Sequence, residues 1–196
     1  MSRYDARDTY CYPGSSVLRN TAGLTDQASL DAFEADITAA RLLELSQHPP
    51  AGTFDLEHLR KIHRAIFRDV YDWAGELRTV DISRGENRFA NVRQITPYAQ
   101  SVFAALAKER FLRGLQPSKF SVRLAHYLSE INALHPFREG NGRVQRAFAA
   151  QLAAQAGYAI DYDGLSQEEM YSVMAAAFTG DEQPLTLLLR NRIARL

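Results

Sequence analysis

His135-Pro136-Phe137-Arg138-Glu139-Gly140-Asn141-Gly142-Arg143-Val144-Gln145-Arg146 marks the place where one helical pattern stops and another begins. Upstream, after Pro117, Phe120, Leu124, Tyr127, Leu128 and Ile131 recur at helical spacing. Pro136 disfavours the helical conformation in the residue before it, so that helix is expected to end near His135. Downstream, Gly140-Asn141-Gly142 forms a turn, and Val144, Phe148 and Leu152 resume the helical period until Gly157.

Further out the chain is also mostly helical. Leu30, Phe33, Ile37, Leu42 and Leu45 follow Thr25 and run to Pro49-Pro50. Asp55 is positioned to cap a second helix, whose stripe of Leu59, Ile62, Ile66, Phe67 and Val70 runs toward Trp73 before Ala74-Gly75 breaks it. Thr96-Pro97 predicts a cap followed by a first-turn proline, opening a helix through Val102, Phe103 and Leu106. Ser166 with Glu169 predicts a capping box, and Asp181 a cap for the last helix. Between Leu77 and Val92, Thr79–Ile82 and Phe89–Val92 flank Ser83–Asn87 and read as a hairpin. Two short strands are marginal alone, so a flap is expected. The fold class is therefore all-α, a helical bundle with a small β-hairpin flap. It is organised as one domain over residues 1–196, with its core over about 55–160, the flap over about 78–93 and the loop over 135–146.

Composition bounds the partners. With 196 residues, 46% of them hydrophobic, the chain can bury one sizeable core. Its 23 basic residues balance 23 acidic ones, so no global field draws it to nucleic acid or an anionic membrane, and an anion site must be local. Arg190, Arg192 and Arg195 read as favourable charge at the C-terminus of a helix rather than a nucleic-acid patch. The lone Cys11 excludes an internal disulfide. A polar start from Met1 to Asp8 and the lack of an apolar run near ~18 residues give the expectation of a soluble, cytoplasmic protein.

Two features of the run 135–146 are hard to explain by packing. Arg143 and Arg146 stand three apart in the first turn of a helix, where the dipole and free N–H groups favour anions. Two guanidiniums there call for a polyanion, and the backbone N–H groups of a Gly-Asn-Gly turn add to a phosphate site. Gly142 would let the backbone come close. The same turn carries His135, a base with a near-neutral intrinsic pKa, and Glu139, a hard oxygen ligand suited to Mg²⁺, on either side of the apolar Phe137. Phosphoryl-type transfer asks for little beyond position, metal, charge neutralisation and a base. Each feature alone has an ordinary explanation as a cap, a turn or a solvated charge. Their conjunction within twelve residues points to a reaction centre.

This run resembles the signature of the Fic family, His-x-Phe-x-[Asp/Glu]-Gly-Asn-Gly-Arg-x-x-Arg, at every defined position. Tyr71-Asp72-Trp73-Ala74-Gly75-Glu76-Leu77-Arg78-Thr79-Val80 and the entry Leu134-His135-Pro136-Phe137 extend the resemblance over about residues 55–160. Tyr10-Cys11-Tyr12-Pro13-Gly14 and the chain length are similar, more weakly, to the small bacterial Fic toxins.

The resemblance implies a protein adenylyltransferase that moves AMP from ATP to a Tyr, Thr or Ser hydroxyl of a target protein. His135 would be the catalytic base, and Glu139 would hold Mg²⁺ on the α- and β-phosphates. Gly140, Asn141 and Gly142 would form the anion hole, with Asn141 on the α-phosphate, while Arg143 and Arg146 take the β- and γ-phosphates. Phe137 would anchor the loop. The flap would align a target segment as an added strand, with Arg88 and Phe89 candidate contacts that read equally well as an exposed turn and a core aromatic. Family members that phosphorylate instead have lysine at the position of Gly142, so the glycine favours nucleotidyl transfer while leaving donors such as UTP or CDP-choline open.

Many members are restrained by a helix bearing [Ser/Thr]-x-x-x-Glu-[Gly/Asn]. Only Glu86 and Glu139 precede Gly or Asn here, and Ile82 and His135 stand four residues before them, so neither fits. The expectation is a toxin inhibited in trans by a small antitoxin that supplies the helix, with bacterial type II topoisomerases suggested as targets by the small toxins as a group. As part of a larger secreted effector, the chain would instead be delivered into another cell. The alternatives are a catalytically silent Fic-fold module that binds nucleotide or a partner, and transfer from another nucleotide donor. Neither direct nucleic-acid binding nor membrane insertion is expected. Tyr4, Tyr10 and Tyr12 are read either as packing residues or as a self-modification site.

Overall fold

Pro117 sits in the first turn of α4 (Pro117–Leu134), the central helix. Phe120, Leu124, Tyr127, Leu128 and Ile131 are all buried there, as their spacing predicts. In this computed structural model, which describes residues 9–85 and 87–196, α4 packs against α3 (Ile95–Lys108), α5 (Asn141–Ala156), α6 (Gln167–Phe178) and α7 (Gln183–Arg192). Tyr4, the polar start and Glu86 lie outside the described residues. α1 (Gln27–Gln47) packs on α2 (Leu56–Phe67), and α2 on α5. The architecture is all-α, with two small antiparallel strand pairs. No helix among the described residues is long and apolar enough to cross a membrane.

Several helix ends follow from local chemistry. Asp26 caps α1 by accepting the Ser29 N–H, and Asp55 caps α2 by accepting the His58 N–H at 2.8 Å. The α2 stripe is fully buried, yet the helix stops at Phe67 rather than running toward Trp73, and the chain continues as turns, with the Val70 N–H on the Phe67 carbonyl and the Ala74 N–H on the Tyr71 carbonyl. Ser166 and Glu169 form the expected capping box of α6. Gly157 ends α5 with φ +89°, a left-handed conformation that favours glycine.

Two caps fall elsewhere than expected. Thr96-Pro97 lies inside α3, and the chain enters through a 3₁₀ turn, Val92–Gln94, whose Asn91 side chain accepts the Arg93 N–H. Asp81 accepts the Val92 N–H at 2.8 Å at the start of that turn, while Gln94, which flanks α3, makes no side-chain cap. Asp181 accepts the Gln183 N–H at 3.1 Å, but Glu182 is the residue flanking α7 and makes no side-chain cap.

The flap also differs. β1 (Ser83–Arg84) pairs with β2 (Asn87–Arg88), with Ser83 opposite Arg88 and Arg84 opposite Asn87, inside the segment expected as the turn. The outer residues that were to be strands are claimed by other partners. Asp81 holds the Asn91 amide, the Ala90 N–H donates to the Ala133 carbonyl of α4, and Arg78 donates to the carbonyls of Val80 and Ala90.

A second pair, β3 (Tyr158–Ile160) with β4 (Ile193–Arg195), has no counterpart in the sequence reading. Arg195 therefore lies beyond the helix it was expected to end, donating to the Gln116 side chain at 2.8 Å, while Arg190 and Arg192 do occupy the last turn of α7. Tyr10 packs on the bundle, edge-on to Trp73 and with its hydroxyl accepting the Thr79 N–H at 3.1 Å; Tyr12 is partly buried against the core.

Candidate active site

Between α4 and α5 the backbone must leave one helix and re-enter another within six residues. It does so through His135 at φ +43° and Gly140 at φ +81°. A side chain at 140 would meet the Phe67 ring at 2.2 Å, so both the conformation and the space demand glycine. Phe137 is fully buried and stacks on His63 with ring centroids 4.1 Å apart. Nε2 of His63 donates to the Glu139 carbonyl at 3.1 Å and Nδ1 accepts the Gly75 N–H at 2.8 Å, so this buried ring ties the loop to the turn after α2. Burial pushes the His63 imidazole down to about 3 and keeps it neutral.

His135 is 6% exposed and lines a cavity of about 460 Å³. Its Nδ1 lies 3.0 Å from the Asn132 carbonyl. A carbonyl can only accept, so Nδ1 carries the hydrogen and Nε2 holds the lone pair. Burial, reinforced by the charges of Arg84 and Arg78, pushes the imidazole down to about 3. Arg78, buried beneath the loop, donates through Nε to the His135 carbonyl at 2.8 Å. Arg78 reaches the loop from 57 positions away, so no local pattern marks this contact.

Glu139, 7% exposed, also lines the cavity and accepts the Gly140 N–H at 2.9 Å. Among the described residues no group of three or more His, Cys, Asp or Glu side chains is arranged to hold a metal. Of the three carboxylates at the wall, Asp31, Glu34 and Glu139, Glu34 is already taken by Arg143 and Tyr71; Glu139, on the loop, suits an ion such as Mg²⁺, which takes one or two carboxylates and completes its shell with phosphate and water.

Asn141 Oδ1 accepts the Phe137 N–H at 3.0 Å and its Nδ2 donates to the Phe137 carbonyl at 2.8 Å, so the side chain braces the loop on which its backbone N–H opens α5. Gly142 is exposed at the cavity, and a side chain there would have only Arg146 Nη1 near it, at 3.7 Å. Packing does not require that glycine.

The two arginines are not equivalent. Both line the cavity, but Arg143 already has an anion: Nη2 pairs with Glu34 Oε1, Nη1 donates to Thr38 Oγ1 at 2.9 Å, and the guanidinium lies 4.8 Å above the Phe67 ring. Of the two guanidiniums in this first turn, Arg143 is thus already paired within the protein. Glu34 stands 109 residues away, so the pairing itself acts across the fold. Arg146 has no carboxylate within 4.0 Å among the described residues, and burial lowers its pKa.

On the flap, Arg88 is exposed, and Phe89 lies flat on His135 with ring centroids 3.7 Å apart and edge-on to Phe178. Phe89 thus covers the histidine. Arg84, within the segment expected as the flap's turn, lines the cavity and lies 5.3 Å over the Tyr171 ring of α6.

A model of the Fic/DOC family matches residues 53–153. The chain is 42% identical over 194 residues to the protein adenylyltransferase VbhT of Bartonella schoenbuchensis, covering 98% of this chain but only 41% of that protein. It is 40% identical to the probable protein adenylyltransferase y4lH of Sinorhizobium fredii, covering 98% of this chain and 100% of that one. The fold is similar to the crystal structure of BepC, a VirB-translocated effector of Bartonella tribocorum with bound AMPPNP, with a TM-score of 0.89, 26% identity and 95% and 97% of the two chains covered. The chain belongs to the Fic/DOC family.

Proposed function

We infer that this protein is a protein adenylyltransferase, a nucleotidyl transferase that moves AMP from ATP to a Tyr, Thr or Ser hydroxyl of a target protein. The observation that carries the reading is the tautomer of His135. With Nδ1–H directed at the Asn132 carbonyl, Nε2 is the basic atom on a residue of the cavity wall. In the reaction, the acceptor hydroxyl gives its proton to His135 Nε2 as its oxygen bonds to the α-phosphorus. The bond from that phosphorus to the bridging oxygen breaks, and pyrophosphate leaves with the electron pair.

The remaining residues position and neutralise. The first-turn N–H groups of Asn141 and Gly142 face phosphate oxygens, and Arg146, with Arg143 beside it, meets the charge of the β- and γ-phosphates. Mg²⁺ held by Glu139 would neutralise charge on the α- and β-phosphates. Gly142 leaves the wall free of a side chain. The flap would lay the target segment alongside β1 or β2, with Arg88 and Phe89 as contacts.

Restraint by a separate small antitoxin is supported by Arg146, which lacks a carboxylate partner among the described residues. A glutamate supplied in trans would fill that place.

Transfer of label from α-phosphate-labelled ATP with Mg²⁺ to lysate proteins, and to a purified bacterial type II topoisomerase, tests the reading. Labelled bands that vanish with His135→Ala or with EDTA are expected. Nucleotide binding without transfer from any donor would favour a silent binding module.

A further inference from the structure

We propose that Glu34 of α1 is a positioning residue for the phosphate site, holding the Arg143 guanidinium at the orientation in which it meets the phosphates beyond the α-position. The proposal rests on the nucleotide site described above. Glu34 and Thr38 lie outside residues 53–153, the segment that matches the family model. They stand four apart on one face of α1, and both are buried, within an otherwise apolar packing face.

The geometry separates positioning from simple pairing. Glu34 uses both oxygens: Oε1 accepts from Arg143, and Oε2 accepts from the Tyr71 hydroxyl, whose ring stacks on Trp73 at 4.4 Å. Glu34 itself stands at the cavity wall, but a carboxylate held through both oxygens is not free to turn from Arg143 and Tyr71. Arg143 is fixed on three sides, by Glu34, by Thr38 and by the Phe67 face. Only two of its five N–H groups are used, so the planar fork still offers donors in one fixed plane to a ligand in the cavity it lines. A buried ion pair is weak evidence for added stability; holding a geometry is its better-attested use. Preorganising a guanidinium lowers the ordering cost of binding a polyanion.

The prediction is selective for phosphate number. With the purified full chain, calorimetric titration should show ATP binding weakened about tenfold by Glu34→Gln, while AMP binding changes less than about twofold, since AMP has no phosphate beyond the first. Tyr71→Phe, which keeps the ring and removes one hydroxyl, should give the same selectivity at about threefold. Adding Glu34→Gln to Arg143→Ala should have little further effect on ATP.

Equal losses for ATP and AMP would mean a structural role only and overturn the proposal. Tighter ATP binding in Glu34→Gln would make Glu34 a brake and overturn it too. If Glu34→Gln does not fold, Tyr71→Phe decides by the same ratio. A wild-type chain that binds ATP but transfers no AMP would overturn the enzymatic reading and leave this test intact. A wild-type chain that binds neither nucleotide would overturn both.

Discussion

The loop from His135 to Arg146 and the flap from Ser83 to Phe89 border the same cavity, but buried polar groups from distant chain segments hold the first, whereas ring contacts of Phe89 and Arg84 and two short strands hold the described residues of the second. The loop's backbone is tied by His63, Arg78 and the Asn141 side chain, and its arginine by Glu34 and Thr38. The flap has two pairs of strand residues, with Asp81 and Ala90 as outer anchors. They meet where Phe89 lies on His135. In-line transfer tolerates little misplacement of its base and charges, and so calls for the rigid half. A surface that adds a partner's strand works through backbone groups and can be short and exposed.

If that division is right, substitutions in the loop cost far more than those in the flap. His135→Ala should lower AMP transfer by about 10²–10⁴-fold with nucleotide still bound, read by labelled transfer beside calorimetric binding. Residual transfer within tenfold of wild type would place the base elsewhere. Gly140→Ala should destabilise the fold by about 1–3 kcal/mol, seen as a lower melting temperature, because its methyl meets Phe67 and its φ is +81°.

Acid should act on the same half of the molecule. His63 and His135 are held neutral by burial, each pushed down to about 3 from the ordinary 6.5, and His58 is lowered by burial too. Between those values the unfolded chain binds protons that the folded chain does not. Stability present above pH 6.5 is therefore lost as pH falls toward 3, at about 1.4 kcal/mol per pH unit for each fully buried histidine. Melting curves across that range should show it, with a shallower slope in His63→Gln.

The flap sets the small end of the scale. Phe89→Ala should cost about 1 kcal/mol of stability, from losing its ring contacts with His135 and Phe178. Arg88→Ala should stay within about 0.5 kcal/mol in chemical denaturation, because its side chain is exposed. A flap substitution as costly as Gly140→Ala would break the division.

What the sequence disclosed follows the same boundary. The helices and the loop were legible because their signals are local: the α4 stripe, Pro136 after His135, and the glycines at 140 and 157. The supports of the loop were not, because each acts across the fold. Arg78 reaches His135 over 57 positions, His63 reaches Glu139 over 76, and Arg143 reaches Glu34 over 109. The one available hint was Glu34 and Thr38 at helical spacing between the apolar residues of α1. The flap strands were misplaced because Asp81 and Arg78 capture the groups that a longer ladder would have used. The β3–β4 pair escaped because three-residue strands carry too short an alternation to read.

Gly142 gives the experimenter a handle. Its backbone lies outside the left-handed region, and only the tip of Arg146 is near the place where a side chain would start. The chain's one native cysteine, Cys11, is buried. Gly142→Cys would therefore leave the scaffold intact while setting a side chain against backbone that the proposed phosphate site needs bare, so ATP binding should weaken with the melting temperature unchanged, and the new thiol should be shielded from alkylation when nucleotide is present.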